Sequence, residues 1–116
     1  MQLYQLQAYC MALTGVTETL PFGPTTLVYK VGGKMFLACN LTDIVESINV
    51  KCDPEMAIAL REQYSAVLPG YHMSKKHWNT ILLNGTIAHK LIHSWINNSY
   101  DLVVASLPAK VRVSLQ

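Results

Sequence analysis

Hydrophobic and polar positions repeat with two different periods along this chain, and the period changes from one predicted element to the next. Near the N-terminus, Leu3, Leu6 and Cys10 recur at intervals of three and four residues, which is the spacing of one face of a helix. The pattern ends near Gly15. We therefore predict an amphipathic first helix that carries Cys10 into the core as a buried thiol, rather than as a nucleophile, which needs a cationic and exposed setting.

The following segment changes to the two-residue period of strands. The ranges 26–31 and 34–39 flank Gly32-Gly33, and both glycines can take the positive φ that a two-residue hairpin turn requires. The pair also resembles part of a phosphate-binding loop, but no complete glycine motif surrounds it. The turn predicts a register that pairs Val31 with Lys34, Lys30 with Met35, Tyr29 with Phe36, Val28 with Leu37, and Leu27 with Ala38.

The middle of the chain predicts one more strand, a helix and a second hairpin. Residues 45–51 alternate well enough for a third strand. Asp53-Pro54 is a typical helix start, because the aspartate can cap the free amides and proline needs none at the first position. Residues 67–73 contain Pro69, which indicates an interrupted edge strand, and we expect this strand to pair with residues 78–83.

The C-terminal part predicts a long helix that begins with Thr86 as its cap and ends before Pro108. His89 and His93 lie four residues apart on its polar side. This spacing fits two ligands of a zinc site, but the third ligand and the acid of an HExxH motif are missing, so solvated histidines are the preferred interpretation. Residues 109–116 are predicted to form a fraying tail.

Composition limits the domain count and the class of protein. The chain has 116 residues, of which 51% are hydrophobic and 14% charged, so we expect one α+β domain over residues 1–108 followed by the tail at 109–116. The apolar excess favours a surface for a partner, for which a second copy of the chain is the simplest choice. No apolar run is long enough to span a membrane, and a signal-peptide start is absent, so a cytoplasmic location is expected.

Charge and cysteine content exclude little but direct attention to local clusters. The three cysteines lie at wide spacings and predict reduced thiols without metal. The formal net charge of +2 is small for a nucleic-acid protein. Cations, an indole and an amide nevertheless crowd one turn and strand, with two further lysines beside the first hairpin turn. These candidate nucleic-acid-binding residues are Lys30, Lys34, Lys75, Lys76, His77, Trp78 and Asn79.

Four ordered motifs resemble those of the MmcQ/YjbR-like family over nearly the whole chain. They are Pro21-Phe-Gly-Pro24 with Leu27–Val31 and Gly33–Phe36; Lys51-Cys-Asp-Pro-Glu55; Pro69–Met73 with Lys76–Asn79; and Ser99–Val104 with Leu107-Pro108. Thr25, Asn84 and the apolar tail from Val111 depart from the family pattern. Thr25 stands where an acidic residue is expected, which weakens any role for an acid at the first hairpin.

The resemblance implies an α+β fold of two layers in the order α-β-β-β-α-β-β-α, similar also to secretion chaperones, with a single antiparallel sheet of about five strands. It further implies a DNA-binding function for a bacterial-type protein, which rests on an analogy between its hairpins and paired wings. It implies neither a cofactor nor a metal.

Three classes of function follow for comparison. A DNA-binding module would use the lysines on phosphates, Trp78 for stacking and Asn79 on a base edge, whereas these residues also fit a solvated turn and a core anchor. A protein-interaction module, acting as a homodimer or a chaperone, would use the apolar excess. Enzyme activity is not expected, because Cys39, Cys52, His72 and His77 form no recognisable catalytic constellation.

Overall fold

A computed structural model of the chain describes residues 1–115 and contains four helices and six strands. In chain order the elements are α1 (Leu3–Met11), β1 (Val16–Thr19), β2 (Thr26–Val31), β3 (Lys34–Asn40), β4 (Ser47–Lys51), α2 (Pro54–Gln63), β5 (Val67–Pro69), β6 (Trp78–Leu82), α3 (His89–Ser106) and α4 (Ala109–Ser114).

The six strands form one antiparallel sheet in the order β1-β2-β3-β4-β6-β5. Helix α3 packs across β3 and β4, α1 lies against β1, and α2 lies beside β5 and β6. The predicted α+β fold with a single antiparallel sheet is therefore confirmed. The sheet has one strand more than expected, because the short segment Val16–Thr19 adds an edge beside β2.

The first hairpin contains a β-bulge that the sequence analysis did not predict. Val31 pairs with Lys34 and Lys30 with Met35 as expected, but Tyr29 then pairs with Leu37 and not with Phe36. Every pair beyond the bulge is displaced by one residue, so the predicted partners of Leu27, Val28 and Tyr29 were wrong. The extra residue lets the consecutive side chains Phe36 and Leu37 both become fully buried.

A serine of α3 satisfies the backbone that the bulge releases. The Ser99 hydroxyl donates to the Phe36 carbonyl at 2.5 Å and accepts from the Lys51 amide at 2.8 Å. These two groups lie where β3 and β4 stop pairing, since only Leu37 and Ala38 of β3 pair with β4. Ser99 is fully buried, and it therefore joins the two strands through the long helix.

The main core lies between this sheet and the helices. Its largest fully buried side chains include Tyr29, Phe36, Leu6, Leu37, Ile48, Ile81 and Ile96. Phe36 meets the Tyr100 ring edge-on at 5.5 Å, and Tyr64 meets Trp95 in the same manner at 5.3 Å. The first contact joins β3 to α3, and the second joins the end of α2 to α3.

Most of the segment predicted as a fraying tail is helical, as α4 (Ala109–Ser114), and Gln116 lies outside the described residues. Helix α4 covers the tip of the first hairpin, where a Cβ on Gly32 would lie 2.5 Å from Leu107 and 3.2 Å from Val111. Gly32 has a φ of 59°, so both the turn and the close approach of the C-terminal segment favour glycine there. Val111 thus packs against the hairpin turn, and Leu115 packs against the main core near Gly15, two contacts that the sequence pattern did not reveal.

Two predicted helix caps also differ. Helix α3 begins at His89, after Ala88, and Thr86 instead donates from its amide and its hydroxyl to the Asn84 side chain. Helix α2 begins at Pro54 as predicted, but Asp53 makes no capping hydrogen bond with its side chain. Within residues 1–115, no helix combines the length and apolar character that a membrane crossing requires.

Cys10, Cys39 and Cys52 are free and buried. Burial raises the pKa of the Cys10 thiol to about 12 and that of Cys39 to about 11, and the nearby Glu18 carboxylate adds to both shifts. The pKa of Cys52 is raised as well, chiefly by burial. These thiols stay protonated near neutral pH and are poor nucleophiles there.

Candidate binding site on the open face of the sheet

Alternate side chains along the strands point away from the main core. Ile48, Val50 and Ile81 belong to that core, whereas the residues between them project from the opposite side of the sheet. We call this side the open face. The pairing register aligns one row of residues across it, from β2 to β5: Val28, Ala38, Asn49, Thr80 and Leu68.

A cavity of about 610 Å³ lies on the open face. Its floor includes the row residues Ala38, Asn49 and Thr80. Two loops from opposite sides of the sheet add aromatic side chains to its lining, Phe22 from the β1–β2 loop and Tyr71 from the β5–β6 loop. These two side chains are 68% and 70% exposed, so the cavity has an apolar rim that is free to contact a ligand.

The polar groups of the floor are connected by hydrogen bonds. The Tyr71 amide donates to the Thr80 hydroxyl at 2.9 Å, and this hydroxyl donates to Asn49 Oδ1 at 2.5 Å. The Thr80 hydroxyl is the donor in this short contact, so the carbonyl end of the Asn49 amide faces Thr80. Asn49 Nδ2 makes one long contact of 3.5 Å, to the Ala38 carbonyl.

The β5–β6 loop returns over the open face through a residue in an unusual conformation. His72 has a φ of 58°, and within residues 1–115 it is the only residue other than glycine with a positive φ. Its ring lies 4.1 Å from that of Tyr71. A left-handed residue that is not glycine costs about 1 kcal/mol or more, and the hydrogen bond from Tyr71 to Thr80 offsets part of this cost.

Arg61 of α2 holds the other end of the same loop. Its guanidinium donates to Asn79 Oδ1 at 2.7 Å and to the Trp78 carbonyl at 3.2 Å, and it also donates to the carbonyl of Lys75. Because the guanidinium is planar and carries several fixed donors, one side chain can orient three acceptors at once. Arg61 therefore fixes where the loop cations lie relative to β6.

Charge is distributed unevenly on the open face. Lys30 comes two residues after Val28 in β2, and Lys51 comes two residues after Asn49 in β4. Because β2 and β4 are both antiparallel to β3 between them, they run in the same direction, and the two lysines project at the same end of the open face. The only acid within the six strands is Glu18. Its carboxylate accepts a hydrogen bond from the Tyr29 hydroxyl at 2.7 Å, on the core side of the sheet. The described strands therefore place cations, and no carboxylate, on the open face.

The structure brings together some of the predicted site residues and separates others. Lys30 is on the open face, and the loop carrying Lys75, Lys76 and His77 leads into β6 at the same end of the sheet. Trp78 is half-buried opposite Lys51. Lys34 pairs with Val31, whose side chain points into the core, so Lys34 projects from the other face.

Asn79 does not fit its predicted role on a base edge. It is 1% exposed and lies on the core side of β6. Its Oδ1 accepts from Arg61, and its Nδ2 donates to the Ala57 carbonyl at 3.3 Å. The amide therefore connects α2 to the sheet, and the strand period displaces it from the neighbours Trp78 and Thr80, which face the other way.

Sequence reasoning missed the residues that form the cavity floor and its rim. Asn49, Lys51 and Thr80 alternate with core-facing residues in their strands. The two-residue period could therefore have placed all three on the face opposite the core. Phe22 and Tyr71 are different: they lie in proline- and glycine-rich loops, and no local pattern indicates that two loops far apart in the chain border one cavity.

The pair His89 and His93 lies away from this site, on α3. Their rings are 6.4 Å apart, and His93 stacks on Tyr9 at 4.0 Å. Burial lowers the pKa of His93, and the neighbouring His89 lowers it further. Among residues 1–115, no group of three or more histidine, cysteine or acidic side chains is placed to hold a metal ion.

Comparison with known proteins gives a consistent assignment. Residues 11–102 match the model of the YjbR family. The uncharacterized protein YjbR of Escherichia coli K12 is 30% identical over 112 residues, which cover 97% of this chain and 95% of YjbR. The uncharacterized protein YbdF of Escherichia coli O157:H7 is 40% identical over 87 residues, which cover 75% of this chain and 71% of YbdF.

Solved structures agree with this result. The crystal structure of Deinococcus radiodurans protein DR2400, with a DUF419 domain, has a TM-score of 0.90 and 34% identity, and the match covers 99% of this chain and 88% of that one. A crystal structure of a Pseudomonas syringae protein has a TM-score of 0.75 and 28% identity, covering 89% of this chain and 99% of the other.

Proposed function

The chain belongs to the YjbR family, and from the geometry of its open face we propose that it is a non-enzymatic protein that binds single-stranded nucleic acid. The observation that carries the proposal is the arrangement on that face: an uncharged, hydrogen-bonding floor lies between exposed aromatic side chains and next to lysines. Each of these parts has a counterpart in a nucleic-acid strand, and the proposal assigns them accordingly.

The cavity would take the bases. Its floor offers neutral polar groups from Asn49 and Thr80, and its rim offers the rings of Phe22 and Tyr71. Aromatic side chains on or beside an antiparallel sheet stack on unpaired bases in several single-strand-binding folds, at about 1–3 kcal/mol per base. A duplex keeps its bases stacked and paired, so a cavity in the sheet favours a single strand.

The lysines would take the phosphates. Lys30 and Lys51 project at one end of the open face, and the loop with Lys75 and Lys76 lies at the same end. Lys75 Nζ donates to the Gly70 carbonyl at 3.0 Å, which leaves Lys30, Lys51 and Lys76 as the freer cations. At the opposite end of the open face, Glu46 precedes β4. The phosphate backbone of the nucleic acid is therefore expected to lie at the lysine end.

The test is the salt dependence of binding to a short fluorescein-labelled single strand of mixed sequence. Fluorescence anisotropy of the wild-type protein and of the double variant Lys30→Ala/Lys51→Ala gives affinity at a series of salt concentrations. If both lysines contact phosphates, the slope of log affinity against log salt becomes shallower by about 1.4 in the variant, which is about 0.7 for each contact.

A matched control separates contact from overall charge. The double variant Lys34→Ala/Lys90→Ala removes the same charge from two exposed positions, one on the opposite face of the sheet and one on α3. We expect it to keep the wild-type slope. Absence of binding at low salt, or equal slopes for all three proteins, would contradict the proposal.

One observation favours self-association as a second candidate function. Phe22, Tyr71 and Leu68 are 68%, 70% and 41% exposed around one cavity, and solvent-exposed apolar groups that cluster are typical of protein interfaces. Two copies could cover the open face of each other. Sedimentation equilibrium across a concentration series checks this alternative, and Tyr71→Ala should raise the dissociation constant of such a dimer.

A further inference from the structure

The open face carries a second row of residues, parallel to the row that forms the cavity floor. Lys30 of β2, Lys51 of β4 and Trp78 of β6 each lie two residues from the floor-row residue of their own strand, and all in the same direction. Two residues of a strand span about 7 Å, so this is the separation of the two rows. We call the second one the lysine row.

A turn adds a third cation at the β6 end of the lysine row. The Ser74 carbonyl accepts from the amides of His77 at 3.2 Å and Trp78 at 2.9 Å, which closes a turn immediately before β6. The amide of Cys52, the residue after β4, donates to the His77 carbonyl at 2.8 Å and joins the turn to that strand. Lys76 is exposed in the turn. Cations therefore lie beside β2, β4 and β6, in a line across the strands.

The length of this line limits the size of a bound strand. From β2 to β6 there are three steps between neighbouring strands, of about 4.8 Å each and about 14 Å in all. One nucleotide advances a strand by about 3.4 Å when its bases stack as in a duplex, and by more when the bases are spread apart. The line thus fits about four nucleotides, whose three internal phosphates equal the cations in number. Beyond Lys30 the row continues with the uncharged Thr17 of β1.

We infer that the sugar-phosphate backbone crosses the β-strands along the lysine row, with its bases directed into the cavity, and that the site takes about four nucleotides. The inference rests on the proposed function and deepens it. In a nucleotide one sugar separates the phosphate from the base. A phosphate over the lysine row can therefore place its base over the floor row.

A backbone that followed the strands would leave most of these cations without a phosphate. The open-face side chains at the end opposite the lysine row are uncharged: Thr26, Asn40, Ser47 and Leu82. A strand that ran from Lys51 along β4 toward that end would keep one lysine contact and lose those of Lys30 and Lys76. The crossing path is favoured because it uses all three cations.

The experiment measures how affinity for oligo(dT) depends on length, from the dinucleotide to the octanucleotide. NMR titration of the isotope-labelled protein at low salt measures the weak binding of the shortest strands, and a single base type keeps the composition constant. We expect affinity to rise by about fivefold or more with each nucleotide up to the tetranucleotide. Beyond it, each nucleotide should add about twofold or less, since only the number of binding positions grows.

Variants at the two ends of the line test its direction. Lys30→Ala and Lys76→Ala should each weaken binding of the tetranucleotide by about 2- to 5-fold. Both should change binding of the dinucleotide little, because its single phosphate can use another cation. The control Lys34→Ala removes a charge from the same hairpin as Lys30 but from the opposite face, and it should leave both affinities unchanged.

The results separate the inference from the proposed function. A tetranucleotide affinity that depends on Lys51 but on neither Lys30 nor Lys76 would overturn the crossing path. An affinity that rises as steeply beyond the tetranucleotide as before it would overturn the size of the site. Both results leave the proposed function standing, whereas absence of binding by every oligonucleotide at low salt would overturn the proposed function and this inference together.

Discussion

The two faces of the sheet come from the same strands and differ in what covers them. On the core face, Leu37, Ile48 and Ile81 are at most 1% exposed and pack under helices. On the open face, Ala38, Asn49 and Thr80 belong to the neighbouring positions in the same strands, and they form the floor of a cavity. Val28 and Ala38 are buried there, yet they lie outside the main core.

The difference shows how the strands divide their tasks. Burial of the core face provides most of the free energy of folding, since it removes a continuous apolar surface from water. The open face carries amides, hydroxyls and lysines. These groups add little to an apolar core, but a ligand can contact them. If this division is correct, substitutions on the two faces have opposite consequences for folding and for binding.

The largest expected effect is on the core face. Phe36→Ala removes a fully buried ring that contacts Tyr100 edge-on, and we expect it to lower the free energy of unfolding by about 3–5 kcal/mol. Tyr71→Ala, at a 70% exposed position on the open-face rim, should change it by about 0.5 kcal/mol or less. Urea denaturation measures both. A similar loss in the two variants would contradict the division.

A smaller effect is expected where the core face meets the bulge. Ser99→Ala changes little in volume but leaves the Phe36 carbonyl and the Lys51 amide without their partner. We expect a loss of about 2–3 kcal/mol, because two buried backbone groups become unpaired. The control is Ser94→Ala on the same helix, where the hydroxyl is exposed and donates to Leu91. Its free energy of unfolding should stay within about 0.5 kcal/mol of wild type.

The smallest effect concerns the thiols on the core face. Burial raises the pKa of Cys10 from 9.0 in the unfolded chain to about 12, so the unfolded state loses its proton first as the pH rises. The stabilisation from the neutral thiol is thus complete below pH 9.0 and is lost progressively toward about pH 12. Cys10 should contribute a loss of about 1 kcal/mol between pH 9 and about pH 10.

This contribution is isolated by a difference measurement. Urea denaturation gives the free energy of unfolding of the wild type and of Cys10→Ala at both pH values. The loss of packing in the variant is the same at both, so it cancels when the two differences are compared. The gap in stability between the two proteins should narrow at the higher pH. A gap that stays constant would mean that the thiol titrates alike in the folded and unfolded states.

The sequence located the loop that borders the candidate site, but it did not identify the residues that line the cavity. The cluster around Lys75 and Trp78 was found because its residues are close in the chain. The base-reading role given to Asn79 was wrong in placement, since one step along a strand reverses the side chain. Lys51 and Asn49 were not predicted as site residues, because a single lysine or asparagine in a strand indicates no site until its cross-strand neighbours are known.

What the sequence determined by itself is the local structure: the Gly32-Gly33 turn, the helix start at Pro54, the helix end before Pro108, and with them an α+β fold around one antiparallel sheet. These follow from backbone preferences that act over a few residues. The tertiary structure alone decided the bulge at Phe36, the docking of α4 on Gly32, and the cavity between Phe22 and Tyr71. Each of these depends on contacts between segments far apart in the chain, and no local period records such contacts.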